Sequence, residues 1–254
     1  MQLFAKAPAA IVRALAPSGV LRAGINLSNI LLVTGEDPSG QPQGISPEMA
    51  RTLAASLDVP LQMVPYANPG LLADAALKDE WDVGLIGAET KRAQTICFTP
   101  PYAEIQATYL TRAGSSLQTV DDVDREGIRI AVSRRSAYEL WLTENIRYAE
   151  IVRTEEPGLE QSKTLFEQTR CDVLAGLRPW LTDKLEAGVF EQDCRLLEGS
   201  FTSVQQAIGT PRNRDVGEAT LWLEQFVAYA KSSGLVAELI ERHKVTGRLS
   251  VAMR

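Results

Sequence analysis

The chain has 254 residues, of which 45% are hydrophobic and 23% are charged, and its formal net charge at pH 7 is −6. This composition is typical of a globular protein that buries a sizeable core in one or two domains. The acidic balance argues against nucleic acid as a partner, because nucleic acid requires a basic face. No apolar run reaches the roughly 18 residues of a membrane span, so no membrane insertion is expected.

The first 21 residues do not have the pattern of a signal peptide. Their apolar stretches are short and are interrupted by Lys6 and Arg13, and no small-residue cleavage site follows a long apolar run. Residues 9–15 instead predict a short helix that leads into the first strand. Either a leader was removed and replaced, or the protein stays in the cytoplasm.

Alternating strands and helices are predicted for the first third of the chain, an order typical of a parallel-rich α/β sheet. The helix after the first hairpin has clear start signals, with Ser46 as N-cap, Pro47 at the first helical position and Glu48 in the first turn. The predicted elements are a strand over 20–25, a hairpin over 35–44, a helix over 46–57, a strand over 61–66, a helix over 69–78 and a strand that opens at Trp81.

The stretch from Trp81 to Tyr102, WDVGLIGAETKRAQTICFTPPY, is the most informative part of the chain. Its short apolar run predicts a buried strand that ends at Gly87, and Glu89 and Arg92 follow in the next loop. Free backbone N–H groups and a planar guanidinium at such a strand end can hold a carboxylate together. Gly87, Glu89 and Arg92 are therefore candidate binding residues.

The second half of the chain again alternates strands with helices. The helix after residue 136 begins with a serine, so Ser136 is predicted to cap it and to offer an anion site at its first turn. The helices from Val216 onward carry an apolar stripe that includes Leu221. The predicted elements are strands over 105–110, 127–132, 150–153, 171–178 and 203–209, and helices over 137–142, 158–168 and from 216 to the end.

The three cysteines and the single histidine do not form a metal-binding or catalytic pattern. Cys97 is predicted as a small core residue, and a disulfide between Cys171 and Cys194 remains an open alternative. His243 is predicted at the surface or at a helix end. No Ser/His/Asp set and no phosphate loop is present, so we expect no catalytic residue, no metal and no cofactor.

A motif of roughly D-x-x-x-x-x-x-x-[ST]-x-x-R followed by F-S-x-P-Y carries a family resemblance. Its counterparts here are Asp82, Arg92 (one residue earlier than in this pattern), Phe98, Thr99 in place of the serine, Pro101 and Tyr102. On these residues the chain resembles the family 3 extracytoplasmic solute-binding proteins, and the resemblance spans about residues 20–243. It implies a type II periplasmic-binding-protein fold, α/β, with two lobes joined by two crossing strands. Lobe one would comprise residues 1–107 and 210–254, and lobe two residues 108–209.

The resemblance also implies a function. A monomer would capture a small carboxylated solute, an amino acid or an organic acid, in the cleft between the lobes. Its partner would be an ABC transporter permease or a receptor domain, and its location the periplasm.

The family implies roles for several residues. The equivalent of Arg92 clamps the ligand carboxylate, with help from the backbone of Gly87 and Glu89. Ser136 stands where the family has threonine, while Arg135 replaces a glycine and either adds a second cation or faces water. In the loop after the first strand, Asn26, Ser28 and Asn29 either bind the ligand or serve only the turn.

One departure from the family bears on the ligand. Members that bind α-amino acids have an aspartate for the ligand ammonium where this chain has Leu177, followed by Arg178. A buried ammonium without a carboxylate partner would cost several kcal/mol. Either Glu89 takes over that role, or the ligand has no ammonium. With Arg92, Arg178 and Arg135 as cations, the sequence favours a second acidic group on the ligand, although Arg178 beside Pro179 is also compatible with a surface position.

Two other functions remain open. A few relatives, the cyclohexadienyl and arogenate dehydratases, are enzymes on the same scaffold and need a general acid, for which Glu89 is the candidate. A cytoplasmic small-molecule sensor is the third alternative.

Overall fold

The computed structural model describes residues 4–253 and confirms the α/β class. The α-helices of this part are α1 (Ala9–Leu15), α2 (Ile45–Leu57), α3 (Pro69–Ala75), α4 (Ala137–Asn145), α5 (Leu159–Gln168), α6 (Arg178–Glu186), α7 (Ala219–Ser232) and α8 (Leu235–Arg242). The strands are β1 (Leu21–Asn26), β2 (Gly35–Glu36), β3 (Pro42–Gln43), β4 (Leu61–Tyr66), β5 (Val83–Gly87), β6 (Ile96–Phe98), β7 (Ala103–Arg112), β8 (Arg129–Val132), β9 (Glu150–Arg153), β10 (Val173–Leu177), β11 (Cys194–Leu196), β12 (Thr202–Pro211) and β13 (Ser250–Val251). None of the described helices has the length and apolar character needed to cross a membrane.

The chain folds into two compact units. The first unit contains the chain up to Glu104 and from Gln205 onward, and the second contains Ile105–Val204. The chain therefore leaves the first unit along β7 and returns to it along β12. The predicted lobe boundaries, after residues 107 and 209, fall in these same two strands, while residues 1–3 and 254 of the predicted first lobe lie outside the described residues.

The first unit is built on three parallel strands in the order β4-β1-β5. Ile25 of β1 lies beside Pro65 of β4 on one side and Leu85 of β5 on the other. Strand β12 runs antiparallel to β5 and places Gln206 opposite Gly87. Since parallel strands point the same way, the loops that follow β1, β4 and β5 lie at one edge of the sheet, where α/β proteins bind ligands.

Trp81 was predicted to open the third strand, but β5 begins only at Val83. The indole is fully buried, and its Nε1 donates a hydrogen bond to the carbonyl oxygen of Leu72 at 3.0 Å. Gly24 and Gly84 face the ring, and a β-carbon on either would lie only 3.3 Å or 3.1 Å from it. The large side chain is thus a core residue that ties the helix before β5 to the sheet.

The predicted N-cap of α2 was wrong by two residues. The helix begins at Ile45, and its N-cap is Gly44 at φ 140°, where a β-carbon would lie 2.3 Å from the carbonyl oxygen of Leu32. Only glycine fits this position. The Ser46 hydroxyl is buried and lies 2.9 Å from the Tyr102 hydroxyl, so it links α2 to the start of β7 instead of capping the helix.

The second unit has the strand order β7-β10-β8-β9, with β11 on the other side of β7. Strands β10 and β8 are parallel, and Val173 lies beside Ile130. Buried aromatic residues fill two core clusters, one around Tyr109 and the other around Phe166. The residues that follow β8 and β10 consequently lie at one edge of this sheet.

Cys97, Cys171 and Cys194 are all free thiols. Cys171 lies two residues before β10, and Cys194 is the first residue of β11. These two strands lie on opposite sides of β7. Two strand spacings separate them by about 9.5 Å, too far for a disulfide without backbone movement. Cys97 was predicted to be a core residue, but it is only half-buried. The predicted apolar stripe of α7 also contains an error, since Leu221 is 59% exposed.

The carboxylate of Asp82 joins two arginines of the first unit. Its side chain is buried and accepts hydrogen bonds from the backbone N–H of Arg22 at 2.8 Å and from the guanidinium of Arg22 at 2.8 and 3.2 Å. Arg214, which follows β12, donates to it from Nη1 at 2.7 Å. The contact with Asp82, and to a smaller degree that with Asp79, raises the pKa of Arg22 above its ordinary value.

We expect Asp82→Asn to lower the free energy of unfolding by about 3 kcal/mol or more, because it leaves two largely buried guanidinium groups without their anion. Chemical denaturation of the purified variant measures this change. Asp79→Asn is the matched control, because Asp79 also pairs with Arg22 but is 73% exposed, and its loss should cost less than about 1 kcal/mol. Equal losses in the two variants would contradict the central role of Asp82.

His243, the only histidine of the chain, caps the end of α8 as predicted. Its Nδ1 lies 3.0 Å from the Thr34 hydroxyl, and its Nε2 is buried without a hydrogen-bond partner among residues 4–253. Burial lowers the pKa of His243; Glu48 opposes this effect, while Arg242 and Arg51 add to it. The neutral ring is therefore the form that the fold accommodates.

Because the pKa of His243 is lower in the folded than in the unfolded chain, the unfolded chain binds more protons in acid. Stability should accordingly fall as the pH drops through about 6.5 towards the lower folded value, with a slope of at most about 1.4 kcal/mol per pH unit. Unfolding at pH 7.5 and pH 5.5 measures this loss. His243→Gln should show a smaller difference between the two conditions, and an unchanged difference would assign the loss to other groups.

Candidate functional site

The loop after β5 carries three of the predicted site residues and holds them together. Arg92 lies at the start of a short 3-10 helix, five residues beyond the end of the strand. Its Nη1 donates hydrogen bonds to the carbonyl oxygen of Gly87 at 3.1 Å and to Oε2 of Glu89 at 2.5 Å. Sequence reasoning thus identified the loop, and the structure shows that its cation and anion form an ion pair.

Burial makes this ion pair unusual for a loop. The side chain of Arg92 is only 4% exposed and that of Glu89 only 12% exposed. An arginine taken out of water needs a nearby anion, because an unpaired buried charge is strongly destabilising. Glu89 supplies that anion from three residues earlier in the same loop, so the loop itself holds the arginine in place.

Gly87 makes room for the pair. A β-carbon at this position would lie 2.5 Å from Oε1 of Glu89 and 3.1 Å from Nη1 of Arg92. The absence of a side chain lets the carboxylate fold back against the end of β5. The next residue, Ala88, donates its backbone N–H to the carbonyl oxygen of Gln205 at 2.8 Å, which fixes the loop to β12.

The loop after β1 shows the turn chemistry that was one of the two open alternatives. Oδ1 of Asn26 accepts hydrogen bonds from the backbone N–H and the hydroxyl of Ser28 at 3.2 and 2.9 Å. Oδ1 of Asn29, which is buried, accepts from the backbone N–H of Leu31 at 3.2 Å. β1 is the neighbour of β5, so this loop and the Arg92 loop follow adjacent strand ends.

Ser136 caps α4 in the second unit as predicted. Its hydroxyl accepts a hydrogen bond from the backbone N–H of Glu139 at 3.1 Å. Glu139 reaches back and accepts from the backbone N–H of Arg135 at 3.1 Å. The sequence signal for this arrangement, Ser-x-x-Glu, is that of a capping box, and it identifies Glu139 as a residue that the sequence analysis missed.

Glu139 is buried and anchors the whole turn. It accepts further hydrogen bonds from Nε of Arg153 at 2.7 Å and from the Thr143 hydroxyl at 2.9 Å. Arg135 has the left-handed φ of 61°, a conformation that glycine adopts without steric cost. The arginine thus occupies a backbone geometry in which the resemblance places a glycine.

Arg178 was predicted at the end of the strand, but it is the first residue of α6. It is half-buried, its Nη2 donates to the carbonyl oxygen of Gly199, and its Nε is buried without a hydrogen-bond partner in the described part of the chain. Leu177, the residue before it, packs against both core clusters of the second unit. Leu177, at the position where the resemblance places an aspartate, is therefore an apolar residue with apolar contacts.

Among residues 4–253, no group of three or more histidine, cysteine, aspartate or glutamate side chains is arranged to hold a metal ion. The first unit thus offers a buried arginine–glutamate pair at the carboxyl edge of its parallel strands. The second unit offers a capped helix start and an arginine at the corresponding edge of its own sheet. Such an α/β protein, with polar and charged groups at the strand ends, belongs to the class that binds small polar solutes.

The family comparison agrees with this class. The family model of the bacterial extracellular solute-binding proteins, family 3, matches residues 21–245. The chain belongs to this family, which confirms the resemblance that the sequence indicated. No curated protein matches the chain.

Solved structures show the same fold. An ArgBP mutant from T. maritima is 18% identical, covers 92% of this chain and 99% of its own, and has a TM-score of 0.69. AbpA from Streptococcus pneumoniae, bound to L-arginine, is also 18% identical, with 93% and 99% coverage and a TM-score of 0.70. An ancestral amino acid-binding protein described as a precursor of cyclohexadienyl dehydratase is 18% identical, with 91% and 98% coverage and a TM-score of 0.68.

We expect Arg135→Gly to raise the free energy of unfolding by about 0.5–1 kcal/mol. Relief of the left-handed conformation contributes about 1–2 kcal/mol, and the extra freedom of glycine in the unfolded chain removes about 0.5–1 kcal/mol of it. Urea denaturation measures the difference. Arg134→Gly is the matched control, because Arg134 has no positive φ and should lose stability on the same change.

Proposed function

We propose that the protein captures a small carboxylated solute, an amino acid or an organic acid, for ABC-type transport, and that Arg92 binds the carboxylate. One observation carries this proposal: a nearly buried arginine is fixed at the carboxyl edge of the parallel strands of the first unit. Membership in the family of extracellular solute-binding proteins supports it.

The chemistry of Arg92 suits a carboxylate. A guanidinium is planar and always charged, and it presents donors in a fork that matches the two oxygens of a carboxylate. A charge-assisted hydrogen bond of this kind contributes about 1.5–3 kcal/mol. Three or four such bonds, less the cost of immobilising the solute, permit dissociation constants on the order of micromolar or lower.

The remaining predicted contacts belong to the same proposal. Ser136 and Arg135 at the start of α4, and Arg178 at the start of α6, would contribute from the second unit. The hydrogen bonds of Ser28 and Asn29 within their own turn favour a role in shaping the loop after β1. A transporter permease or a receptor domain would be the protein partner of a monomer, located outside the cytoplasm as the family name implies.

Similar structures favour binding over catalysis, since AbpA is described with bound L-arginine and the dehydratase precursor is itself described as an amino acid-binding protein. Glu89, the candidate general acid for a dehydratase, accepts a hydrogen bond from Arg92. A general acid would have to present a proton to its substrate instead. We expect no turnover of prephenate-like acids by the purified protein, and measurable turnover would favour the enzyme.

A thermal-shift screen tests the proposed function. Purified protein is melted with about 1 mM of single amino acids in one set and of mono- and dicarboxylates in another. A ligand at 100 times its dissociation constant stabilises the fold by about 2.7 kcal/mol, which in a chain of this length raises Tm by several degrees. Failure of every carboxylated solute to raise Tm would overturn the proposal.

Arg92→Lys should weaken binding of any solute found in this screen at least 10-fold, because lysine keeps the charge but loses the two-pronged hydrogen bond. Isothermal titration calorimetry measures the change. Lys91→Gln is the matched control, since Lys91 is the neighbouring cation but is exposed, and its loss should leave affinity nearly unchanged. Equal affinity of Arg92→Lys and the native protein would place the carboxylate elsewhere.

A further inference from the structure

We infer that Gln206 is a further binding residue of the carboxylate site, and that its side-chain amide donates a hydrogen bond to the carboxylate held by Arg92. This inference rests on the proposed function, because it concerns the solute bound at Arg92. Gln206 lies on β12, a strand that carries none of the predicted site residues. It belongs to the first unit, as Arg92 does.

The pairing of β12 with β5 places Gln206 beside the Arg92 loop. Gln206 lies directly opposite Gly87 in this antiparallel pair. Side chains of directly opposite residues project from the same face of a sheet, with their β-carbons about 5 Å apart. A β-carbon on Gly87 would lie 2.5 Å from Oε1 of Glu89 and 3.1 Å from Nη1 of Arg92. The Gln206 side chain therefore leaves the sheet next to this ion pair and on the same face.

The amide of Gln206 is buried without a partner. The residue is 4% exposed, the same fraction as Arg92, and its side chain makes no hydrogen bond to any residue in the range 4–253. Most buried polar side chains of this range have a partner, as the Ser46 hydroxyl has in Tyr102. A buried amide without a hydrogen bond costs folding free energy, and a solute that accepts its hydrogen bond removes this penalty.

The neighbouring glutamine shows the opposite arrangement. Successive side chains of a strand alternate between its two faces, so Gln205 projects from the other face of β12. Its Nε2 donates a hydrogen bond to Oε2 of Glu104 at 2.9 Å. The amide of Gln205 is thus satisfied within the protein, while that of Gln206 lies on the face of the Arg92 loop.

A neutral donor beside Arg92 suits a carboxylate. A carboxylate has about four acceptor positions, and the fork of one guanidinium fills only two of them. Nη1 of Arg92 already donates to the carbonyl oxygen of Gly87 and to Glu89. The amide of Gln206 adds a donor without adding a charge, so the balance of the ion pair is kept. Because a carboxylate only accepts hydrogen bonds, the NH₂ group of the amide is the one that binds it.

Gln206→Met tests the role of the amide, because methionine has nearly the size of glutamine but no hydrogen-bond donor. L-arginine, L-glutamate, L-leucine, L-lactate and succinate are titrated into the native protein by calorimetry, and the tightest binder among these and the positives of the thermal-shift screen is the probe. Gln206→Met should bind this probe about 10-fold or more weakly. Its unliganded Tm should equal or exceed the native value, since no buried amide is left unpaired.

The two readouts separate binding from a structural role. Unchanged affinity of Gln206→Met for the probe would overturn the inference and leave the proposed function intact. A lower unliganded Tm would also overturn it, because the amide would then support the fold. Binding of no solute by the native protein would overturn the proposed function and the inference with it. Gln62→Met makes the same replacement at an exposed position of β4 and should leave the affinity unchanged.

Gln206→Glu tests the direction of the hydrogen bond. Glutamate keeps the size and the acceptor oxygen of glutamine, but at pH 7.5 it carries a negative charge and no donor. We expect it to weaken binding of the probe about 100-fold or more, because two carboxylates then face each other. Equal or tighter binding would overturn the inference, since the solute would then donate to residue 206.

Gln206→Asn replaces Gln206→Met if the methionine variant does not melt cooperatively. It keeps the amide but withdraws it by one methylene group, beyond the reach of a hydrogen bond to the same carboxylate. We expect a loss of affinity for the probe of about 5-fold or more. Unchanged affinity of Gln206→Asn would contradict the inference.

Discussion

The buried carboxylate of Asp82 is the interaction on which the first unit depends. It binds the backbone and side chain of Arg22 at the start of β1 and the guanidinium of Arg214 beyond β12. β5 begins one residue later and leads directly to Gly87. Three distant parts of the chain are thereby joined at one point, and the strand that carries the Arg92 loop starts from it. The position of the candidate site follows from this anchor at the other end of β5.

The Asp82 group and the Glu89–Arg92 pair of the first unit differ in how completely the carboxylate is buried and paired. Asp82 is fully buried and has two guanidinium partners, so its arrangement is closed and serves the fold. Glu89 remains 12% exposed beside Arg92, at the edge of the sheet where ligands of α/β proteins bind. Both groups use the same chemistry, and they differ in how deeply the carboxylate is buried.

In the second unit a buried glutamate again anchors a turn, here at the beginning of helix α4. Ser136 and Glu139 together satisfy the backbone at the beginning of α4, and β10 places Arg178 beyond the neighbouring strand end. Glu139 also binds Arg153, so the turn that contains Arg135 is supported from β9. The left-handed conformation of Arg135 persists because these contacts determine the turn.

Local patterns in the sequence predicted most elements correctly. Short apolar runs marked the strands, and the serine before α4 marked its cap. One error occurred where a non-local contact overrode a local signal. Ser46 has the composition of an N-cap, yet the close approach of Leu32 makes Gly44 the cap. The error at Leu221 was one of local spacing. The buried positions of α7 recur every three or four residues and leave Leu221 exposed, these positions being Ala219, Trp222, Leu223, Phe226, Val227 and Ala230.

By itself, the sequence determined the α/β class, the family motif and the identity of the loop that contains Arg92, because these depend on short-range spacing. Only the tertiary structure decided that Arg92 is buried, that Glu89 pairs with it across the end of β5, and that Asp82 meets Arg214 132 residues further along the chain. The reason is that burial and charge pairing depend on which strands become neighbours. Sheet order follows from the packing of the whole chain, and no local spacing encodes it.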